Sequence, residues 1–122
     1  MRFAKYTFLI AGIYGLFALV PMYFLKDYVG QETPPAITHA EFFYGFVGVA
    51  LAWQFVFLII SRDPVKYRLL MLPAILEKAA WGIPVLILYL QNKVSVSILG
   101  AGMIDLLFGV LFVAAYLKTE RD

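Results

Sequence analysis

Apolar residues run almost without a break through four stretches, Tyr6 to Leu25, Phe42 to Ile60, Leu69 to Leu90 and Val94 to Leu117, while most polar residues collect in the gaps between them. Each stretch approaches or exceeds the roughly 20 residues that a helix needs to cross a hydrocarbon core about 30 Å thick. The pattern predicts an all-α membrane protein, a compact antiparallel bundle of four transmembrane helices over residues 6–25, 38–60, 64–91 and 94–117. Little chain is left over, so one transmembrane domain is expected over residues 1–122, with any chemistry inside the bilayer or at its rims. The first apolar run follows "MRFAK", which resembles a signal peptide's charged start. Its length exceeds the 7 to 15 residues of a typical signal core and no small-x-small cleavage site follows, so it is expected to be a retained helix.

Start and stop signals refine these spans. In "THAE", Thr38 and Glu41 have the spacing of a capping box, each side chain accepting from the other's backbone N–H, which starts span two. In "SRDPVKY", Asp63 is suited to the N-cap and Pro64 to the first helical position of span three. The longest connection, "KDYVGQETPPAITHAE", contains Pro34 and Pro35 and is expected to be extended. Pro21, Pro73 and Pro84 each remove a helical N–H and are expected to bend spans one and three. Small residues at helical spacing (Ala11, Gly15 and Ala18; Gly45, Gly48 and Ala52; Gly102 and Gly109, with Ser95 nearby) predict close helix crossings, because in lipid packing rather than the hydrophobic effect holds helices together. Lys5-Tyr6 and Lys66-Tyr67 lie 61 positions apart, as do Gly48-Val49 and Gly109-Val110, a spacing that hints at two duplicated hairpins.

Composition agrees with the pattern. The 122 residues are 63% hydrophobic and 15% charged, against roughly 45–50% and about 25% in soluble domains, and the mean hydropathy is +0.85. Cysteine is absent, which removes disulfides, thiolate catalysis and cysteine metal sites. The net charge of +2 is spread along the loops and argues against a nucleic-acid partner. Its distribution sets an orientation, because short loops rich in Lys and Arg stay in the cytoplasm. Arg2, Lys5, Arg62, Lys66, Arg68, Lys118 and Arg121 fall on one side and only Lys26 and Lys93 on the other. Both termini are therefore expected to be cytoplasmic, in a bacterium at the inner membrane.

Five polar residues interrupt the apolar spans. At about 1.5 Å per residue, Tyr14, Gln54, Glu77, Lys78 and Asp105 all come out roughly 9 to 18 Å from the Lys/Arg-rich face, in one layer. His39 and Glu41 come out near the opposite rim, too far away to join them in a metal site, and no metal or cofactor is expected. A charge at a helix centre costs about 2.5 to 3.5 kcal/mol on insertion scales, so compensation is required. Glu77 and Lys78 point about 100° apart and pair poorly with each other. The short "QNK" connection brings Lys78 level with Asp105, which makes a cross-helix pair the natural partnership. Glu77 is then expected to be protonated or hydrogen-bonded to Gln54. Trp81, one turn from Glu77, can wall a pocket.

The layout of four short helices, with "LFALVPMYF", "HAEFFYGFVGVALAW" and "GAGMIDLLFGVLFVAAYL", resembles the small bacterial membrane proteins grouped as DoxX-like. That resemblance implies an accessory membrane subunit, in some members linked to quinone or sulfur redox systems. "DPVKYRLLMLPAILEKAAWGIP" is more faintly similar to sterol-isomerase and ligand-binding bundles of the EXPERA type, which place buried acids around a lipid-like ligand. Small multidrug transporters share the length and helix count, but their essential acid lies in helix one, where this chain has none.

Three functions remain open at this stage. The leading expectation is a non-enzymatic accessory or assembly subunit, partnered by the bilayer and by other membrane subunits, with Glu77, Lys78 and Asp105 as an internal clamp. The second is a binding protein or enzyme for a hydrophobic small molecule such as a quinone or sterol-like lipid, using Glu77 and Asp105. The third is a proton-coupled carrier. A packed layer favours the first, a pocket lined by Glu77, Trp81 and Asp105 the second, and a water-lined path to either face the third.

Overall fold

The computed structural model describes residues 2–32 and 37–119. Pro34, Pro35 and Arg121 lie outside the described residues. The chain forms α1 (Arg2–Leu19), α2 (Lys26–Glu32), α3 (Ala40–Arg62), α4 (Met71–Leu90) and α5 (Val96–Lys118), with 3-10 helices at Val20–Phe24 and Arg68–Leu70. Among the described residues there is no strand. Arg2–Phe24, Ala40–Arg62, Arg68–Leu90 and Val96–Lys118 are each 23 residues long and apolar enough to cross a membrane. At about 1.5 Å per residue each spans about 35 Å.

Helix boundaries follow local chemistry. Pro21 lacks an N–H and its ring crowds the carbonyl four residues back; α1 ends at Leu19 and the chain continues as a 3-10 helix with Pro21 at its start. Pro73 stands in the first turn of α4, where backbone N–H groups lack helical partners in any case. Pro84 lies inside α4, which runs on as one helix. Asp63 accepts from Lys66 N at 3.2 Å through its side chain. It caps only one turn, however, and the chain then passes through the 3-10 helix before α4 begins. The α4–α5 connection closes with Asn92 in the left-handed region (φ 60°), while Lys93 N and Asn92 N donate back to Leu88 O and Tyr89 O at 2.8 and 2.9 Å. Asn tolerates that conformation, and the pair of bonds satisfies carbonyls that a helix end leaves open. Ser95 then caps α5, accepting from Ile98 N at 3.3 Å.

Two expectations about the loops fail. Lys26–Glu32 is helical rather than extended; the helix-breaking prolines come after it and do not govern it. The Thr38–Glu41 capping box does not form. His39 occupies the N-cap without a side-chain bond, Thr38 is exposed, and Glu41 Oε1 instead lies 3.7 Å from His39 Nδ1 in an exposed pair.

The helices pack as two antiparallel hairpins, α1 on α3 and α4 on α5, joined through α1 and α5; α3 and α4 scarcely meet. Glycine allows the closest approaches. A Cβ on Gly102 would lie 2.7 Å from Val85 Cγ1, and one on Gly82 would lie 2.6 Å from Leu106 Cγ. Gly45 does not take part in such a crossing: it is exposed, with no atom within 4 Å of where its Cβ would be. Ala52 and Ala18 are exposed as well.

Core packing concentrates at one end of the bundle. Phe8, Phe57 and Phe112 are fully buried there with Ala4, Ala11, Ile60, Met71, Ala74 and Ala115. Phe8 stacks on Phe112 at 4.1 Å, and Phe57 meets Phe112 edge-on at 5.0 Å, geometries that suit aromatic quadrupoles. Arg68 ties off the same end. Its Nε donates to Tyr116 O at 3.1 Å and Thr119 O at 3.0 Å, and its guanidinium lies 3.7 Å from the Tyr116 ring centroid. It thereby satisfies carbonyls at the C-terminus of α5, where a cation also suits the helix dipole. The outer faces are apolar, with Phe17 80% and Leu117 73% exposed.

Candidate functional site

Above the aromatic end the helices part around a cavity of about 440 Å³. It extends from the middle of the bundle past Ala18 and Met22 to Val29 of α2 on one side and Ser97 at the start of α5 on the other. Tyr14, Gln54, Glu77, Lys78, Trp81 and Asp105 all line it. The six residues singled out in the sequence, drawn from four helices, thus face one space.

Helix geometry explains the convergence. The tight turn at Asn92 folds α5 back along α4, and the stem of Lys78 packs against Gly109, where a Cβ would lie 3.4 Å from Lys78 Cβ. Lys78 Nζ then reaches Asp105 Oδ1 at 3.3 Å. Glu77 Oε2 lies farther from the ammonium, at 3.8 Å. Lys78 is only 3% exposed, and its charge also lies over Phe57 and Phe108, 5.1 and 5.7 Å from the ring centroids. An ion taken out of water loses several kcal/mol of solvation, about what a close counter-ion and further polar contacts can return. The Asp105 contact, the Glu77 carboxylate and the aromatic faces are those compensations.

Gln54 differs from expectation. Its Nε2 donates to Ala50 O at 2.7 Å, one turn back on its own helix, and it makes no hydrogen bond to Glu77. The amide lies in the notch left by Gly15, where a Cβ would overlap it. Gln54 Oε1 and Glu77 Oε2 are consequently buried without a hydrogen-bond donor. The expected Glu77–Gln54 bond does not form; the amide NH2 is turned back to Ala50 O on its own helix. Tyr14 is partly exposed and packs its ring against Phe108, with centroids 5.7 Å apart.

Comparison with protein-family models, with curated proteins and with solved structures finds no match for this chain.

Apart from Ser97 the remaining wall is apolar, with Ala50, Ala101, Ile98 and Phe46 among its residues. Phe46 on α3 stacks against Trp81 on α4, with ring centroids 6.0 Å apart. Beyond that pair, a second hollow of about 490 Å³ opens on the outer seam between α3 and α4, lined by Val49, Trp53, Pro73 and Leu76 and sharing Phe46, Ala50, Glu77 and Trp81 with the first. Two stacked rings and the Glu77 side chain thus stand between the inner cavity and the outer surface. Sequence reasoning missed Phe46 and the alanines. An alanine reads equally as a tight crossing or as the wall of a void, and Ala18, expected in a packing stripe, lines the cavity. Among the described residues no three His, Asp or Glu side chains converge as metal ligands.

Proposed function

We propose that the chain is an integral membrane protein that binds an apolar small molecule in the cavity above Lys78, with the ligand's polar end at the Glu77, Lys78 and Asp105 layer. Four helices of spanning length with apolar outer faces support the membrane reading. By the Lys/Arg bias, the aromatic-packed end and both termini are cytoplasmic, in a bacterium at the inner membrane.

The observation that carries the proposal is the void itself. An accessory subunit held together by the same clamp needs no space in that layer, and close packing would serve it better. A cavity of 440 Å³, mostly apolar and with a few convergent polar groups, has the size and character of small-molecule sites, which run from about 300 to 1,000 Å³. The Phe8, Phe57 and Phe112 packing closes the route toward the Lys/Arg-rich end, which weighs against a carrier path through the bundle. The α3–α4 seam, closed by Phe46 and Trp81, offers entry from the surrounding lipid.

The test is extraction of the protein purified in mild detergent, with mass spectrometry of the small molecules released. One apolar compound at close to one equivalent per chain supports the reading; bulk membrane lipids in their ordinary proportions oppose it.

A further inference from the structure

The polar end of the cavity is unbalanced in both charge and hydrogen bonding. Two acids, Glu77 and Asp105, face one ammonium, Lys78, so the layer carries a surplus negative charge when both are ionised. Lys78 is the cation among the described residues that line the cavity, and it is closer to Asp105 than to Glu77. The two orphaned polar atoms, Glu77 Oε2 and Gln54 Oε1, are both acceptors. The orientation of the Gln54 amide is fixed by its bond to Ala50 O, which turns its oxygen into the notch at Gly15, where it is covered; Glu77 is the acid left to meet a ligand. The second acid and the unmet Glu77 oxygen in a water-poor layer call for a group that brings positive charge and N–H donors.

We infer that the ligand's head is an ammonium, that of a primary or secondary amine on an apolar body; this rests on the ligand-binding reading above and specifies its chemistry. The head lies beside the Glu77 carboxylate, and the body fills the space between Ile98, Ala101 and the 3-10 end of the first span. Trp81, Phe46 and Tyr14 supply ring faces along the way, and aromatic faces attract cations. A neutral alcohol would satisfy one acceptor and leave the charge unmet. A carboxylate would add a third negative group to a layer with one cation.

The experiment compares three probes of matched body, 4-phenylbutylamine, 4-phenylbutanol and 4-phenylbutyrate. Titration calorimetry uses the full chain in lipid nanodiscs, with empty nanodiscs as reference. The amine is expected to bind about tenfold to a hundredfold more tightly than the alcohol, the range a charged hydrogen bond commands, and the carboxylate most weakly. Glu77→Gln should remove most of the amine's advantage while leaving the alcohol's affinity within about threefold, with thermal melting as the folding control. If that variant does not fold, the ranking of the three probes on the unaltered chain decides alone. Equal affinity for amine and alcohol overturns the ammonium head and leaves the pocket standing, with a proton on Glu77 as the missing charge. Tightest binding of the carboxylate overturns it in favour of an anionic head. Failure of all three to bind overturns the pocket reading and this inference together.

Discussion

Lys78 Nζ lies 3.3 Å from Asp105 Oδ1 across the α4–α5 seam, while the carboxylate adjacent in sequence, Glu77, is the more distant partner at 3.8 Å. The inequality makes the two acids distinguishable. Lys78→Met leaves two carboxylates facing each other and should lose about 3 to 5 kcal/mol of stability, as removal of one partner from a buried pair does. Asp105→Asn should lose less, because Glu77 still neutralises Lys78. The double variant should recover part of the Lys78→Met loss, measured by thermal melting in detergent as a double-mutant cycle. Simple additivity would remove the clamp from the account.

Gly15 and Gln54 form a knob and notch. A methyl group at Gly15 overlaps the Gln54 amide, so Gly15→Ala should destabilise by about 1 to 3 kcal/mol, the usual range for overpacking. Gln54→Ala in the same chain should relieve most of that loss. Melting curves of the two single variants and the double variant decide it, and an unrelieved loss would mean that the α1–α3 crossing depends on Gly15 for another reason.

Arg68 holds the end of α5 through two backbone carbonyls and one ring. Arg68→Ala should cost about 1.5 to 3 kcal/mol, the range for hydrogen bonds from a charged group. Arg68→Lys should recover little of it, because both bonds come from the guanidinium Nε–H, at whose place in the chain lysine has a methylene. Limited proteolysis near Lys118 provides the readout, with faster cleavage expected in both variants.

The two cap signals should now separate. Thr38 is exposed and does not occupy the N-cap of α3, so Thr38→Ala should stay within about 0.5 kcal/mol of the parent. Asp63 does hold Lys66 N, and Asp63→Ala should cost about 0.5 to 2 kcal/mol. Equal effects in a chemical denaturation series would contradict the assignment.

Much of the architecture was legible because helices of spanning length and apolar composition stand out in the sequence. The four spans, the shared layer of Tyr14, Gln54, Glu77, Lys78 and Asp105, and the Lys78–Asp105 pairing follow from residue spacing and the cost of an isolated charge. Other features are set by competition between nearby partners, which spacing does not record. Gln54 could reach Glu77 or its own helix, and Ala50 O prevails at 2.7 Å. Thr38 and Glu41 have capping-box spacing, yet α3 begins one residue later than that box requires, with His39 as N-cap. Lys26–Glu32 had no start signal beyond Asp27 in its first turn. The cavity was the least legible feature, because Ala50 and Ala101 would look the same in the sequence whether a neighbour packed on them or a void stood there.

The most direct test of the central claim is to fill that void. Ala101 lines the cavity with Gln54 and Trp81, and Ala101→Phe would occupy the space with a side chain that needs no polar partner. Filling a genuine cavity commonly leaves stability unchanged or raises it. The measurement is mass spectrometry of small molecules released from the purified parent and from Ala101→Phe, alongside their melting temperatures. Close to one equivalent of an apolar compound is expected in the parent, and its loss in a variant that melts no lower. The same compound retained at the same stoichiometry in a well-folded Ala101→Phe would contradict it.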